Sequence, residues 1–250
     1  GGAPCRVIGL RAICFWLLER TSKECEIMSE KLITFKDVKN NPEVKLYIER
    51  SDVSLSNQGF TEHSYGHVGN VAAVTEYILI KHGSSERDIQ LAKIAAYLHD
   101  IGNLINRENH SQSGAIIAFR LLEKMGMDPA EIITIVTAIG NHDEGNGLPV
   151  SDIAAALIIA DKCDVRRSRV RNNDIASFDI HDRVNYSVQN ADINIITEEN
   201  LISLNLTLDK DYSSIMDYFE IFLGRMVLCK KAASSLGMIF RLQINGQRVV

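Results

Sequence analysis

The spacing of the apolar residues changes near residue 190, and this change constrains the fold more than any other feature of the sequence. Between about Met28 and Val184, apolar residues recur every three to four positions, which is the period of an amphipathic helix. Beyond Asn190 they alternate with polar residues, as in half-buried strands. The pattern predicts a mainly α chain, in which a helical bundle is followed by a small antiparallel β-sheet with one packed helix.

The same change sets the predicted domain boundaries. Residues 1–27 are an N-terminal extension of unassigned role, because Met28 and the residues after it look like a natural start. Residues 28–188 are the predicted helical domain, and residues 189–250 form a β-β-α-β appendage. Composition does not decide whether this appendage serves dimerisation, substrate gating or effector binding.

Two carboxylates follow strongly apolar runs. Asp100 comes after Ala95–Leu98 and His99, and Asp161 comes after Ile153–Ala160. Burying an unpaired carboxylate costs several kcal/mol, so each of these residues requires a cation or a strong hydrogen-bond network.

Three further histidines belong to the same ordered series. His67 shares a predicted helical face with Val71, where a solvated imidazole is poorly placed. His142 lies just past an apolar periodic stretch, at a helix end or in the loop beyond. His110 opens the next helix, where a role in capping explains it as well as metal binding does.

This series resembles the HD superfamily of metal-dependent phosphohydrolases, whose pattern is His, then His-Asp, then one or two histidines, then a distant Asp. The resemblance runs from about Glu62 to about Arg171. Its most specific pieces are His67-Val68-Gly69-Asn70-Val71, Leu98-His99-Asp100-Ile101-Gly102 and Ile159-Ala160-Asp161-Lys162-Cys163-Asp164.

The resemblance implies a binuclear metal centre within a helical HD domain. One metal would be held by His67, His99, Asp100 and Asp161. Asp100 would bridge to a second metal, held by His110 and His142. Imidazole and carboxylate ligands suit divalent transition metals such as Fe, Mn, Zn, Co or Ni, and the sequence leaves the choice open.

The predicted function is hydrolysis of a nucleotide or another small phosphate mono- or diester by a metal-bridged hydroxide. The sequence has no nucleophile elbow, no Walker-type phosphate loop and no Cys-x-x-Cys pair to favour a different mechanism. Two alternatives stay open: an HD-type di-iron oxygenase, and a metal-retaining regulatory protein that binds a nucleotide.

Other candidate site residues lie next to the ligands in the sequence. Asp100 and His63 are the catalytic candidates; His63 precedes His67 by four residues and would share its helical face, although an exposed, inert histidine is the alternative. Lys162, Arg166 and Arg169 are predicted to bind the substrate phosphate. For any one of these arginines, a charged exterior helix is the alternative.

One departure from the family bears on phosphate binding. Many relatives have Ile-Gly-Lys after the His-Asp pair, and here Asn103 replaces the lysine. The arginines after Asp161 are predicted to supply the missing positive charge.

Composition narrows the partners and the compartment. The net charge of -5 argues against nucleic acid as the main partner, and no segment reaches the ~18–20 apolar residues that a membrane span needs. Five unpatterned cysteines favour reduced thiols, and hence a cytoplasmic enzyme. The expected partner is a small phosphorylated substrate, and a homodimer through the C-terminal module is a further expectation.

Overall fold

The computed structural model describes residues 32–250, so the extension predicted for residues 1–27 lies outside the described residues. Residues 33–250 form one compact unit. Within them the chain is mainly α-helical with a small C-terminal sheet, which confirms the predicted fold class. None of the described helices combines the length and the apolar character needed to cross a bilayer.

The described helices, in chain order, are α1 Phe35–Asn40, α2 Pro42–Asn57, α3 Tyr65–His82, α4 Glu86–Leu98, α5 His110–Lys124, α6 Pro129–Gly140, α7 Asp152–Lys162, α8 Ile180–Ser187 and α9 Ile215–Ser235. Short 3₁₀ turns at Ile101–Leu104 and Arg167–Arg169 connect some of them. The strands are β1 Val188–Ile196, β2 Leu201–Leu208, β3 Ile239–Ile244 and β4 Gln247–Arg248.

Local sequence determines where several helices begin and end. The Asp128 side chain accepts hydrogen bonds from the first amides of α6, and Pro129 occupies its first position. Gly83 ends α3 in the left-handed conformation, with φ +87°.

Helix α7 lies at the centre of the fold. Every residue from Ile153 to Lys162 is buried, and the helix packs against α3, α4 and α9. Helix α9 also packs on β3. The hydrophobic core therefore continues across residue 188, where the chain changes from helix to strand and where the sequence predicts a domain boundary.

The sheet differs from the prediction in one pairing. Its strand order is β1-β2-β3-β4, and β1 pairs with β2 antiparallel as expected. Strands β2 and β3 pair in parallel, because the 21-residue helix α9 crosses the sheet between them and returns the chain to the same end. The two-residue β4, absent from the prediction, pairs antiparallel with β3.

Candidate metal centre

The fold brings the six predicted ligands to one buried place from five different helix ends. His67 is the third residue of α3, and His99 and Asp100 directly follow α4. His110 is the first residue of α5, His142 follows the end of α6 by two residues, and Asp161 is next to last in α7. None of the six is more than 9% exposed.

Four of these residues form the first ligand group: His67, His99, Asp100 and Asp161. Asp100 Oδ2 lies 3.4 Å from His67 Nε2 and 3.2 Å from His99 Nε2. Asp161 Oδ1 lies 3.3 and 3.5 Å from the same two nitrogens. With metal–ligand bonds of about 2.0–2.2 Å, neighbouring ligands of a tetrahedral ion are about 3.4 Å apart, so these spacings fit a single cation.

The second ligand group consists of His110, His142 and the other oxygen of Asp100. His110 Nε2 lies 3.5 Å from Asp100 Oδ1 and 3.2 Å from His142 Nε2. The rings of His99 and His142 are 4.9 Å apart, and His99 also lies close enough to serve as a donor with Asp100 and His142. Asp100 therefore stands between the two groups, with one oxygen toward each.

All four imidazoles are oriented in the same way. Their Nδ1 atoms lie within 3.0 Å of an acceptor oxygen; the acceptors are Asp164 Oδ2 and the main-chain carbonyls of Ala96, Arg107 and Ile139. In the neutral rings Nδ1 therefore carries the proton and Nε2 presents a lone pair to the centre. The Nε2 atoms of His67 and His99 face each other at 3.3 Å. Lone pairs in this arrangement fit a cation placed between them.

The charges of the site also favour a cation. Burial lowers the pKa of His99, but the carboxylates of Asp100 and Asp161 outweigh burial and raise it to about 10. Burial would raise the pKa of Asp100, yet His99 and His67 hold it well below its usual range. Both effects show that the ionised carboxylates attract positive charge to this point.

Residues 64–166 match the model of the HD domain family. This segment is an HD domain. It contains all six predicted ligands, and the match confirms the family resemblance.

Two other proteins are similar to part of this chain. An uncharacterized protein of Methanocaldococcus jannaschii is 28% identical over 154 residues, which cover 52% of this chain and 59% of that protein. The match thus spans less than two thirds of the relative. A predicted HD superfamily hydrolase from an uncultured Thermotogales bacterium, solved at 1.45 Å, is 25% identical. The match covers 50% of this chain and 67% of the Thermotogales chain, with a TM-score of 0.40.

Asp164 supports the predicted ligand His67 in a way that the sequence analysis did not assign. Its Oδ2 accepts the Nδ1 proton of His67 at 2.7 Å, and its Oδ1 accepts from Asn70 and Arg166. These bonds fix the ring of His67, which is how supporting carboxylates orient metal-bound imidazoles. In the sequence, this role of Asp164 is indicated only by its position one turn after the predicted ligand Asp161.

Gly102 positions the second ligand group. It lies where the 3₁₀ turn after Asp100 crosses α5, and a Cβ there would overlap the main-chain oxygen of His110 and the amide of Gly114. Ser113 Oγ donates to the Gly102 carbonyl at 3.3 Å. The missing side chain lets α5 approach closely enough for His110 to reach Asp100.

The arginine-rich segment after Asp161 does not continue α7, so it does not form the charged exterior helix that was the alternative to phosphate binding. Helix α7 ends at Lys162, and the chain turns so that Arg166 is extended. Arg166 pairs with Asp164 and lines a groove of about 470 Å³ that contains none of the six predicted ligands. Lys162 is 3% exposed, and its Nζ lies 2.7 Å from Asp161 Oδ2 and 3.0 Å from Glu144 Oε2. Binding of substrate phosphate by Arg166 and Lys162 stays a prediction.

His63 precedes α3 rather than sharing its helical face, because the helix begins at Tyr65. Its ring is nevertheless 5.3 Å from that of His67, and its Nδ1 lies 2.6 Å from the Thr61 carbonyl. Burial and the charge of Arg169 hold the pKa of His63 well below its usual value. His63 is therefore a neutral imidazole beside the ligands, and its catalytic role stays a prediction.

A cavity of about 210 Å³ is lined by His63 and three arginines and by none of the six predicted ligands; Arg107 brings it next to Asp100. Of the three predicted phosphate-binding residues, only Arg169 lines it. The other two arginines that line it, Arg107 and Arg225, were not among the predicted site residues. Arg107 Nη1 is 3.9 Å from Asp100 Oδ1 and 3.2 Å from Asn103 Oδ1, so it places positive charge beside both residues.

Proposed function

We propose that this protein is a metal-dependent phosphohydrolase that acts on a small phosphate ester, with nucleotides as the first class to test. The observation that carries the proposal is the position of Asp100 between two imidazole-containing ligand groups. The HD domain match and the arginine-lined cavity beside Asp100 support it.

The donor set determines what the site can do. Two divalent cations, when bound, would lower the pKa of a water molecule and neutralise charge on the phosphoryl oxygens. His67, His99 and Asp161 would hold one cation, His110 and His142 the other, and Asp100 both.

The residues around the cavity would bind and orient the ester. Arg107 lies next to Asp100, so its guanidinium can donate to a phosphate oxygen at the ligand groups. Arg169 is buried and fixed by hydrogen bonds to the main-chain oxygens of Glu62 and Asp164. Because it is fixed in this way, it contributes positive charge to the cavity without having to be ordered on binding.

His63 is the residue that we propose moves a proton. Its Nδ1 is committed to the Thr61 carbonyl, which leaves Nε2 for exchange with a bound ester or water in the cavity. Replacing His63 with glutamine should lower turnover by about a hundredfold, since general acid–base catalysis contributes ~10²–10⁴-fold. An unchanged pH profile and turnover in that variant would remove His63 from the reaction.

The experiment that tests the function is a panel of phosphate mono- and diesters, including nucleotides, assayed with protein that is chelated and then reconstituted with single metals. We expect phosphate release that chelation abolishes, that one or more metals restore, and that Asp100→Ala eliminates. The matched control is Asp152→Asn, an exposed carboxylate at the start of α7, which should retain full activity.

Equal and negligible turnover by wild type and Asp100→Ala, both loaded with metal, would contradict the proposal. Oxygen consumption measured in parallel on the iron-loaded protein would identify the di-iron oxygenase alternative.

A further inference from the structure

We infer that Arg225, on helix α9 and outside the HD domain, binds the terminal phosphate of a phosphate monoester in the active-site cavity. This inference rests on the proposed function. It gives the C-terminal module a direct part in binding substrate.

Two helices C-terminal to the HD match line part of the cavity. Helix α8 contributes His181, Asp182 and Asn185, and helix α9 contributes Phe222 and Arg225. Both helices lie beyond residue 166, where the HD domain match ends. His63 and Arg107, close to the ligands, also line the cavity. The cavity is thus complete only when the HD domain and the C-terminal helices are packed together.

Arg225 is held with its terminal nitrogens left available. The guanidinium carbon lies 4.4 Å from the centre of the Phe222 ring, and Nε lies 2.6 Å from Glu144 Oε1. Its two terminal nitrogens donate no hydrogen bond within residues 32–250. A guanidinium fixed through its face and its Nε can use the remaining edge to bind an anion at little entropic cost.

A chain of ion pairs connects this arginine to the ligands. Glu144 Oε2 lies 3.0 Å from Lys162 Nζ, and Lys162 Nζ lies 2.7 Å from Asp161 Oδ2. Charges alternate along the series from Arg225 to Asp161, so each group stabilises the next. The series fixes the distance between Arg225 and the first ligand group. Lys162, which is predicted to bind phosphate, thus lies between the carboxylates of Glu144 and Asp161.

The number of donors favours a monoester over a diester. A monoester has three non-ester oxygens and two negative charges, whereas a diester has two such oxygens and one charge. Arg107 lines the cavity and lies 3.9 Å from Asp100 Oδ1, and Arg225 lines it from helix α9. A phosphate with a third free oxygen can therefore contact both arginines at once.

The test compares Arg225→Gln and Arg225→Lys with wild type, using a metal-loaded full chain. Inorganic phosphate, titrated calorimetrically, is the binding probe, and p-nitrophenyl phosphate and bis(p-nitrophenyl) phosphate are the paired substrates. We expect Arg225→Gln to weaken phosphate binding and raise KM for the monoester by about tenfold to a hundredfold, with smaller effects on kcat and on the diester. Arg225→Lys should recover part of the loss, because it keeps the charge but not the planar donor edge.

Metal content per chain is measured for each variant, to separate phosphate binding from loss of the ligand groups. Arg183→Gln, an exposed arginine on α8, is the matched control and should behave as wild type. If wild type hydrolyses the monoester and both Arg225 variants keep its KM and phosphate affinity, the inference is wrong and the proposed function stands. If wild type hydrolyses neither ester but binds phosphate in an Arg225-dependent way, Arg225 is supported as a phosphate ligand and the proposed hydrolysis fails.

Discussion

The two ligand groups differ in how their donors are held. The first group combines two carboxylates with two imidazoles, and the His67 ring is fixed by the side chain of Asp164. The second group has the imidazoles of His110 and His142 and one oxygen of Asp100. Main-chain carbonyls alone orient those two rings. We therefore expect the first group to bind its cation more tightly, because it carries more negative charge and a stronger supporting shell.

The largest effect is expected from the residue that the two groups share. Asp100→Asn leaves one oxygen and one amide, so the residue can donate an oxygen to only one group. We expect metal content to fall from two ions per chain to one or fewer, and phosphate release to fall by about a thousandfold, since several kcal/mol of transition-state stabilisation are lost. Elemental analysis alongside activity checks this result. Two ions retained in Asp100→Asn would show that the groups do not share this side chain.

A smaller effect is expected from removing a donor of the second group alone. His110→Ala should leave one ion per chain, bound by the first group, and lower phosphate release by about a hundredfold, because the Lewis-acid contribution of one ion is lost. The reciprocal variant His67→Ala should lose the tighter ion first. If the two variants lose metal equally, the two groups do not differ in cation affinity.

The support that Asp164 gives to the first group can be tested without replacing any predicted ligand. Asp164→Asn removes the charge that accepts the His67 Nδ1 proton and should weaken the tighter cation about 10–100-fold. Competition with a chelator of known affinity measures this change. Weakening confined to the second cation would contradict the role given to Asp164.

The smallest effect is expected on helix α3, away from both groups. Thr75 is fully buried, and its hydroxyl has no hydrogen-bond partner among the described residues. Thr75→Val should leave metal content unchanged and raise the free energy of unfolding by about 1 kcal/mol, because a buried unsatisfied hydroxyl is costly. Denaturant melts and elemental analysis check both parts. A loss of stability would show that the hydroxyl bonds a water molecule.

The six ligand candidates and the fold class could be predicted because their signals are local. Asp100 and Asp161 each end an apolar run, and His67 lies on an apolar helical face, so burial is visible from neighbours within a few positions. The fold class is confirmed, and the structure brings the six side chains together. Metal binding by each of them stays a prediction.

The features that sequence reasoning missed depend on contacts between distant segments. Asp164 meets His67 across 97 positions, and Arg225 reaches the cavity only because α9 packs on α7. The parallel pairing of β2 with β3 depends on the path of α9, which apolar periodicity does not describe. The exterior helix that was the alternative for the arginines after Asp161 does not form, because α7 ends at Lys162, and no Gly or Pro marks that end.

The contact at Gly102 limits how this centre can change. Any residue larger than glycine there would push α5 away from the turn after Asp100, and His110 would move with it. A saturation library at position 102, selected for full metal loading, should therefore return glycine almost exclusively. The same selection at Gly69, where an added Cβ meets nothing within 4 Å, should tolerate alanine and serine.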